Sequence, residues 1–320
     1  RASGVAVDAA GRVVVGGEYL FNDGMTSARN MLAVRFSPQG QLDQGFGDNG
    51  RYRGGASNEE ANAVAIGPGD TVLLAGQRLA NASLVRLTVD GTPDATFGSG
   101  GRSPLDPTGG AQVLAASGTA AVFAGRTLGG DVLVGKAGAD GAPDAAFGGS
   151  VVTDVGPADD RATAVAVQPD GKVIVAAETV VQSPVFVRSP RIAVLRYGTD
   201  GKLDPSFGQG GVVLTDFDPG VAFQTASDRP RAIVLDARGR IVVVGTTTEK
   251  PVGSPDRLRA VALRLMPDGS LDPLFGDRGK MTFTDPASTF EVRAAAAQPD
   301  GKIVVLGAGA APMMLARILP

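Results

Sequence analysis

The stretch Arg264–Gly279, RLMPDGSLDPLFGDRG, has four further copies in the chain: Arg35–Gly50, Arg86–Gly101, Lys136–Val151 and Arg196–Gly211. The spacing within a copy never slips. A cation leads (Arg35, Arg86, Lys136, Arg196, Arg264), then a glycine (Gly40, Gly91, Gly141, Gly201, Gly269), then an aspartate (Asp43, Asp94, Asp144, Asp204, Asp272). A phenylalanine follows (Phe46, Phe97, Phe147, Phe207, Phe275), each with a glycine behind it. A second glycine closes every copy but the third, which has Val151. Gap-free copies at this period are the signature of a repeat protein.

A second unit alternates with the first. It is clearest at Ala164–Ala177, AVAVQPDGKVIVAA, and Ala296–Gly307, AAQPDGKIVVLG. Val5–Gly17, Ala63–Gly76, Val113–Gly125 and Ile233–Gly245 follow the same plan: an apolar run, a turn, then a β-branched run ending in a small residue. Such runs split by Asp-Gly or a similar pair read as hairpins. A third strand ends at the recurring cation, and a short fourth one follows the second glycine: RYR, RSPL, VVT, VVLT and KMTF.

Four antiparallel strands in meander order, repeated radially, are the blade of a β-propeller. A solenoid is the other repeat architecture, but a ring leaves no exposed terminal sheet edge. The expectation is therefore an all-β chain forming one propeller domain over residues 1–320. Its repeats fall at about 1–57, 58–108, 109–158, 159–227, 228–288 and 289–320, the last incomplete. The first three strands occur six times and the fourth five times. This predicts six four-stranded blades, the last closed by a strand from upstream of residue 1, or seven blades if a further unit is missing.

The composition narrows the function. A net charge of -3 carries no basic stripe for nucleic acid. The chain has no cysteine, hence no disulfide and no thiolate chemistry. It has no histidine, which removes Ser-His-Asp and Cys-His catalysis and speaks against zinc. No apolar run approaches the roughly 20 residues of a membrane-spanning helix. No metal and no cofactor are expected.

The recurring residues have a structural reading. The chain reverses between the cation and the aspartate, so Arg35 and Asp43, Arg86 and Asp94, Lys136 and Asp144, Arg196 and Asp204, and Arg264 and Asp272 are expected to pair. A guanidinium grips a carboxylate bidentately, and the phenylalanine supplies an apolar plug between neighbouring blades. A feature repeated in every copy is structural, since a catalytic site would be unique.

LDPSFGQGGVVLTDF, AVAVQPDGKVIVAA and RIAVLRYGTDGKLD resemble the delta-60 repeat, or DUF5122, β-propeller family of bacterial proteins. The resemblance covers essentially the whole chain and is weakest over 110–136. It implies an exported propeller of unassigned function, placed outside the cell, at the cell surface or in the periplasm. Copies such as GVAVDAAGRVVVGG also resemble NHL-type propellers, to which the LDxxFGxxG segment is foreign.

In a four-strand meander the second–third connections and the links between blades share one face. The former look long at Glu18–Asn30, Glu178–Arg191 and Thr246–Arg259, and the link Asp216–Pro230 is long as well. Variable loops on a rigid scaffold are where binding concentrates. Charged residues just before each first strand would ring the channel mouth: Glu59, Glu60, Asp159, Asp160, Asp228, Arg229 and Glu291. Solvated loop charges or strand-end caps are the plainer reading of them. The expected role is a non-enzymatic module that binds a protein or a glycan. The alternative is a glycoside hydrolase or lyase working with two of these carboxylates, roughly 5–5.5 Å apart if retaining or 6.5–9.5 Å if inverting. No residue is assigned a catalytic role. Asn81-Ala82-Ser83 has the glycosylation pattern and reads as an exposed loop.

Overall fold

Apolar runs broken by turn residues fold here as antiparallel meanders. The computed structural model describes residues 1–22, 27–55, 58–105, 107–182, 188–217, 227–249, 256–283, 290–298, 300–309 and 313–318. Among these the regular structure is β throughout, apart from one 3-10 turn at Pro68–Asp70. The chain divides into two compact units, Arg1–Thr153 and Asp154–Pro320.

The first unit holds three sheets. The first contains β1 (Ala2–Val7), β2 (Val13–Asn22), β3 (Ser27–Phe36) and β4 (Arg51–Arg53); the second β5 (Glu59–Ile66), β6 (Val72–Arg78) and β7 (Asn81–Leu87). The third contains β8 (Gly110–Ser117), β9 (Ala120–Arg126), β10 (Val132–Ala137) and β11 (Ser150–Thr153). The second unit also holds three. Its first is β12 (Arg161–Val167), β13 (Val173–Gln182), β14 (Arg188–Tyr197) and β15 (Val212–Thr215). Next come β16 (Ser227–Leu235), β17 (Ile241–Glu249), β18 (Arg257–Leu265) and β19 (Lys280–Thr282), then β20 (Phe290–Ala297), β21 (Ile303–Gly309) and β22 (Met314–Ile318).

Within each unit the sheets stack face to face. In the first, β5 packs on β1, β2 and β3, and β8 packs on β5, β6 and β7. In the second, β16 packs on β12, β13 and β14, and β20 packs on β16, β17 and β18. Apolar side chains fill each interface. Leu73, Leu84 and Phe97 meet Phe123 and Leu133, and Ile174, Val194 and Phe207 meet Val243 and Leu263.

Every first strand carries a bulge at the same place, skipping Ser3, Asn62, Gln112, Thr163, Arg231 and Arg293 in the pairing. A bulge bends its strand and re-aims the extra side chain. It also explains the small residue that ends each second-strand run. At Gly76 an added Cβ would lie 1.8 Å from the Glu60 carbonyl oxygen, which the bulge presses against the partner strand.

Three expectations need correction. RSPL, Arg102–Leu105, is not a fourth strand. Val85 and Arg102 form a lone bridge and Ser103 N–H reaches Leu84 O at 3.0 Å, but Pro104 and Pro107 have no N–H with which to continue a ladder. The described parts of the long second–third connections are almost all strand: β2 and β3 stay paired out to Asn22 and Ser27, β13 and β14 to Gln182 and Arg188, and β17 and β18 to Glu249 and Arg257. These are hairpin ribbons, because the extra residues continue the backbone ladder. Residues 23–26, 183–187 and 250–255 of the three expected loops and 218–226 of the link before β16 lie outside the described residues. Finally, Asn81-Ala82-Ser83 is part of β7, and Ser83 is buried.

Candidate functional site

The repeated cation, aspartate and phenylalanine are bound to one another in all five copies. The ion pairs measure 2.8 Å for Arg35–Asp43, 2.8 Å for Arg86–Asp94, 2.9 Å for Lys136–Asp144, 2.9 Å for Arg196–Asp204 and 2.8 Å for Arg264–Asp272. Each cation also lies over the following ring, at 4.4–4.6 Å for the arginines and 5.7 Å for Lys136. Several of the carboxyls titrate low. Thr96 and then Arg86 hold Asp94 below the usual range, Lys136 does so for Asp144, and the Leu274 N–H with Arg264 does so for Asp272.

The same cluster grips the next sheet. Arg35 Nη1 donates to Val89 O, Arg86 Nη1 to Ala139 O and Arg196 Nη1 to Pro267 O. The N–H of the glycine behind the ring does likewise: Gly47 to Asp90 O at 2.7 Å, Gly98 to Asp140 O at 2.7 Å, Gly208 to Asp268 O at 2.8 Å. At Gly91 an added Cβ would sit 2.7 Å from the Phe46 ring, on a backbone already at φ +77. The turn glycine of one sheet is thus the seat for the ring of the sheet before it. These side chains are committed to packing.

The charged residues before the first strands divide into two kinds. Glu59, Asp160 and Asp228 are buried. Glu59 is held by Arg102 Nη2 at 2.8 Å, with Arg102 Nη1 and Ser83 Oγ on its other oxygen. Asp160 accepts the Val155 and Gly156 N–H groups at 2.7 and 3.1 Å and the Thr179 hydroxyl at 2.5 Å. Asp228 accepts the Phe217 N–H at 2.9 Å. Burial pushes both aspartates up, against the pull of Thr179 and the N–H groups on Asp160, and of Thr247 and Phe217 on Asp228. These carboxylates tie down the approach to the strand. Asp159 is exposed beside them.

Glu60, Arg229 and Glu291 belong to open clusters. In the first unit Arg29 reaches Glu18 at 3.3 Å and Glu60 at 3.6 Å. Burial pushes the Glu60 carboxyl up, as does the Glu18 carboxyl hydrogen-bonded to it. A pocket of about 140 Å³ lies here, lined by Arg29, Asn58, Glu60, Gln77 and Leu79. In the second unit Glu178 faces Arg161 at 3.6 Å and Arg229 at 3.4 Å, and Glu291 faces Arg231 at 3.6 Å and Arg293 at 2.9 Å. Sequence reasoning missed Glu18, Arg29, Arg161, Glu178, Arg231 and Arg293. A signal existed for two of them: a polar residue interrupts each first-strand run at the bulge, and in the last two copies it is arginine.

Among the described residues, no group of three or more acidic side chains is placed to hold a metal ion. No helix there is long and apolar enough to cross a membrane.

No curated protein matches the sequence. Solved structures that resemble the chain include Drosophila Plexin A in complex with Semaphorin 1b, at 10% identity and TM-score 0.46 over 92% of this chain and 72% of that one. Another is Penicillium chrysogenum alpha-L-arabinanase complexed with arabinobiose, at 13% identity and TM-score 0.49 over 99% and 93%. A third is a mannose phosphorylase from Leishmania mexicana in complex with phosphate ion, at 10% identity and TM-score 0.37 over 96% and 78%. A family model described as a domain of unknown function (DUF5122) beta-propeller matches residues 168–207 and 239–275. Each matched segment runs from a first–second-strand turn to the phenylalanine of the repeat, Phe207 in one and Phe275 in the other. These two segments therefore carry the repeat of the DUF5122 beta-propeller family.

Proposed function

We propose that this chain is a non-enzymatic β-propeller module, exported or displayed at a cell surface, that binds a macromolecular partner through the ends of its second–third-strand hairpins. One observation carries this reading. Each of the three hairpins in the first unit carries an exposed large apolar side chain at or near its end: Leu20 at 65% and Phe21 at 39% exposure, Leu79 at 72% and Leu128 at 67%. The repeated cation, aspartate and phenylalanine are consumed in packing, so the variable hairpin ends, together with scattered apolar positions such as Val5, Val7 and Leu274, are what the scaffold presents. Apolar tips above a polar surface favour a protein partner. A glycan is the other class, but the chain has no tryptophan to stack a sugar ring.

The test is a screen of the immobilised chain against arrayed secreted proteins and arrayed glycans, repeated with Leu20→Asp, Leu79→Asp and Leu128→Asp combined. The expected result is protein ligands that the wild type captures and the triple variant loses, with the unfolding midpoint unchanged. Equal capture by the variant overturns the reading.

A carboxylate-based hydrolase is the second reading, supported by the Glu18–Glu60 pair beside its pocket. Burial and the adjoining Glu18 carboxyl raise the Glu60 pKa, the direction a general acid needs. Direct contact leaves them without the separation at which two carboxyls flank a glycosidic bond, which places this reading second. Loss of a measured glycosidase or lyase activity in Glu60→Gln would reverse the order.

A further inference from the structure

The bulge position breaks the pattern of the repeat. In the first two sheets it carries a small polar residue that ties one sheet to the next: Ser3 Oγ donates to Ala61 O at 2.8 Å, and Asn62 Nδ2 donates to Ala111 O at 3.0 Å. In the last two sheets the same position is Arg231 and Arg293. A residue repeated in every copy serves the scaffold. A departure that places two long cations at a packing position needs another cause.

These arginines are under-compensated. Across β12, β13, β16 and β20 the described side chains put four guanidiniums, Arg161, Arg229, Arg231 and Arg293, around two carboxylates, Glu178 and Glu291. Three of the four contacts are 3.4–3.6 Å, too long for the paired N–H···O bonds that a guanidinium fork makes with a well-placed carboxylate. Arg231 Nε is buried and has no hydrogen-bond partner among the described residues. Burial lowers the Arg231 pKa, and Arg161 and Arg229 lower it further, against Glu291 and Glu178. The outer members are open to a ligand, Arg229 at 49% and Arg293 at 56% side-chain exposure. Such a cluster is stabilised by whatever brings more negative charge on planar, forked oxygens.

We infer that the arginine cluster of the second unit is a binding site for an acidic polypeptide segment, read through its Asp or Glu carboxylates. The inference rests on the binding-module reading and names the chemistry of the partner. Carboxylates on flexible side chains can meet forks spread over three first strands. The exposed apolar tips of the first unit point to the same class of partner, whereas a polyuronate would bring sugar rings for which the chain has no tryptophan.

The experiment is fluorescence anisotropy with a labelled ten-residue oligoglutamate, using oligoglutamine and oligogalacturonate as comparison probes. The wild type is expected to bind oligoglutamate with an affinity that falls as salt rises, and not to bind oligoglutamine. Arg229→Ala with Arg293→Ala should weaken binding about tenfold or more, roughly 1.4 kcal/mol or above. Both side chains are half exposed, so the unfolding midpoint should hold. Glu291→Gln removes the competing carboxylate from Arg231 and Arg293 and should tighten binding several-fold. Unchanged affinity in the double arginine variant, weaker binding in Glu291→Gln, or tighter binding of oligogalacturonate than of oligoglutamate would each overturn the inference. If oligoglutamate fails while capture of a protein still depends on Leu20, Leu79 and Leu128, the inference falls and the binding-module reading stands.

Discussion

Phe46→Ala is expected to lower the unfolding free energy of the first unit by about 3–5 kcal/mol, the range for deleting a buried aromatic. Phe46 is fully buried among Met31, Ala33, Leu74 and Val85, so its removal opens a cavity between the first and second sheets. The loss is larger than hydrophobic transfer alone. The ring also sits 4.5 Å from the Arg35 guanidinium carbon and rests on its seat at Gly91. Urea titration followed by far-UV circular dichroism reads the change as a shift of the midpoint with little change in slope. Loss below about 1 kcal/mol would mean that the ring does not hold the two sheets together.

Arg264→Ala is expected to cost about 3 kcal/mol. Arg264 and Asp272 are both buried, so alanine leaves a carboxylate in a poorly solvated place. The cost stays at the low end of the range for a broken buried pair because Arg240, at 3.3 Å, still faces Asp272 and the Leu274 N–H still donates to it. Arg264→Lys should be milder, since Lys136 fills the same role in the third copy at 2.9 Å. The pH dependence has a definite sign. Asp272 titrates below its ordinary value of 3.8. Its contribution is therefore present above that pH and is lost as pH falls through the lowered value. Arg264→Ala removes part of that contribution, so its stability should fall less steeply than the wild type's on acidification. A variant as acid-labile as the wild type would argue against the pair.

The sequence spoke most clearly where the physics is local and repeated. The cation, the aspartate eight residues on and the phenylalanine beyond it are close in the chain, and the turn between them fixes the contact, so all five pairs were readable from spacing. The strand meander was legible for the same reason. What Gly91 does was only half legible: its turn glycine suggested positive φ, but its contact with Phe46 joins residues 45 apart. The fate of Arg102–Leu105 turned on Pro104 and Pro107, which were visible, and on the pull of buried Glu59 on Arg102, which was not. The bulges escaped because no glycine or proline marks them consistently, only Gly4 and Pro230 flanking two of the six; a polar residue in an apolar run looks like a strand's solvent face. The open clusters escaped with them, because Arg229 meets Glu178 and Arg231 meets Glu291 only once neighbouring sheets are stacked. Buried Asp160 and Asp228 looked like channel-mouth charges for a related reason, since burial is decided by the ribbons that cover them.

The claim on which the rest stands is that the repeat of one sheet locks onto the turn glycine of the next. Gly40 and Gly91 have nearly the same backbone, φ +78 and φ +77, but an added Cβ meets nothing within 4 Å at Gly40 and meets Phe46 and Gly47 N at 2.7 and 2.8 Å at Gly91. Comparing the unfolding free energies of Gly40→Ala and Gly91→Ala therefore separates backbone strain from the inter-sheet contact. Gly40→Ala should cost about 1–2 kcal/mol, the left-handed backbone penalty, and Gly91→Ala about 1–3 kcal/mol more for the overpacked seat. Equal losses in the two variants would contradict the account.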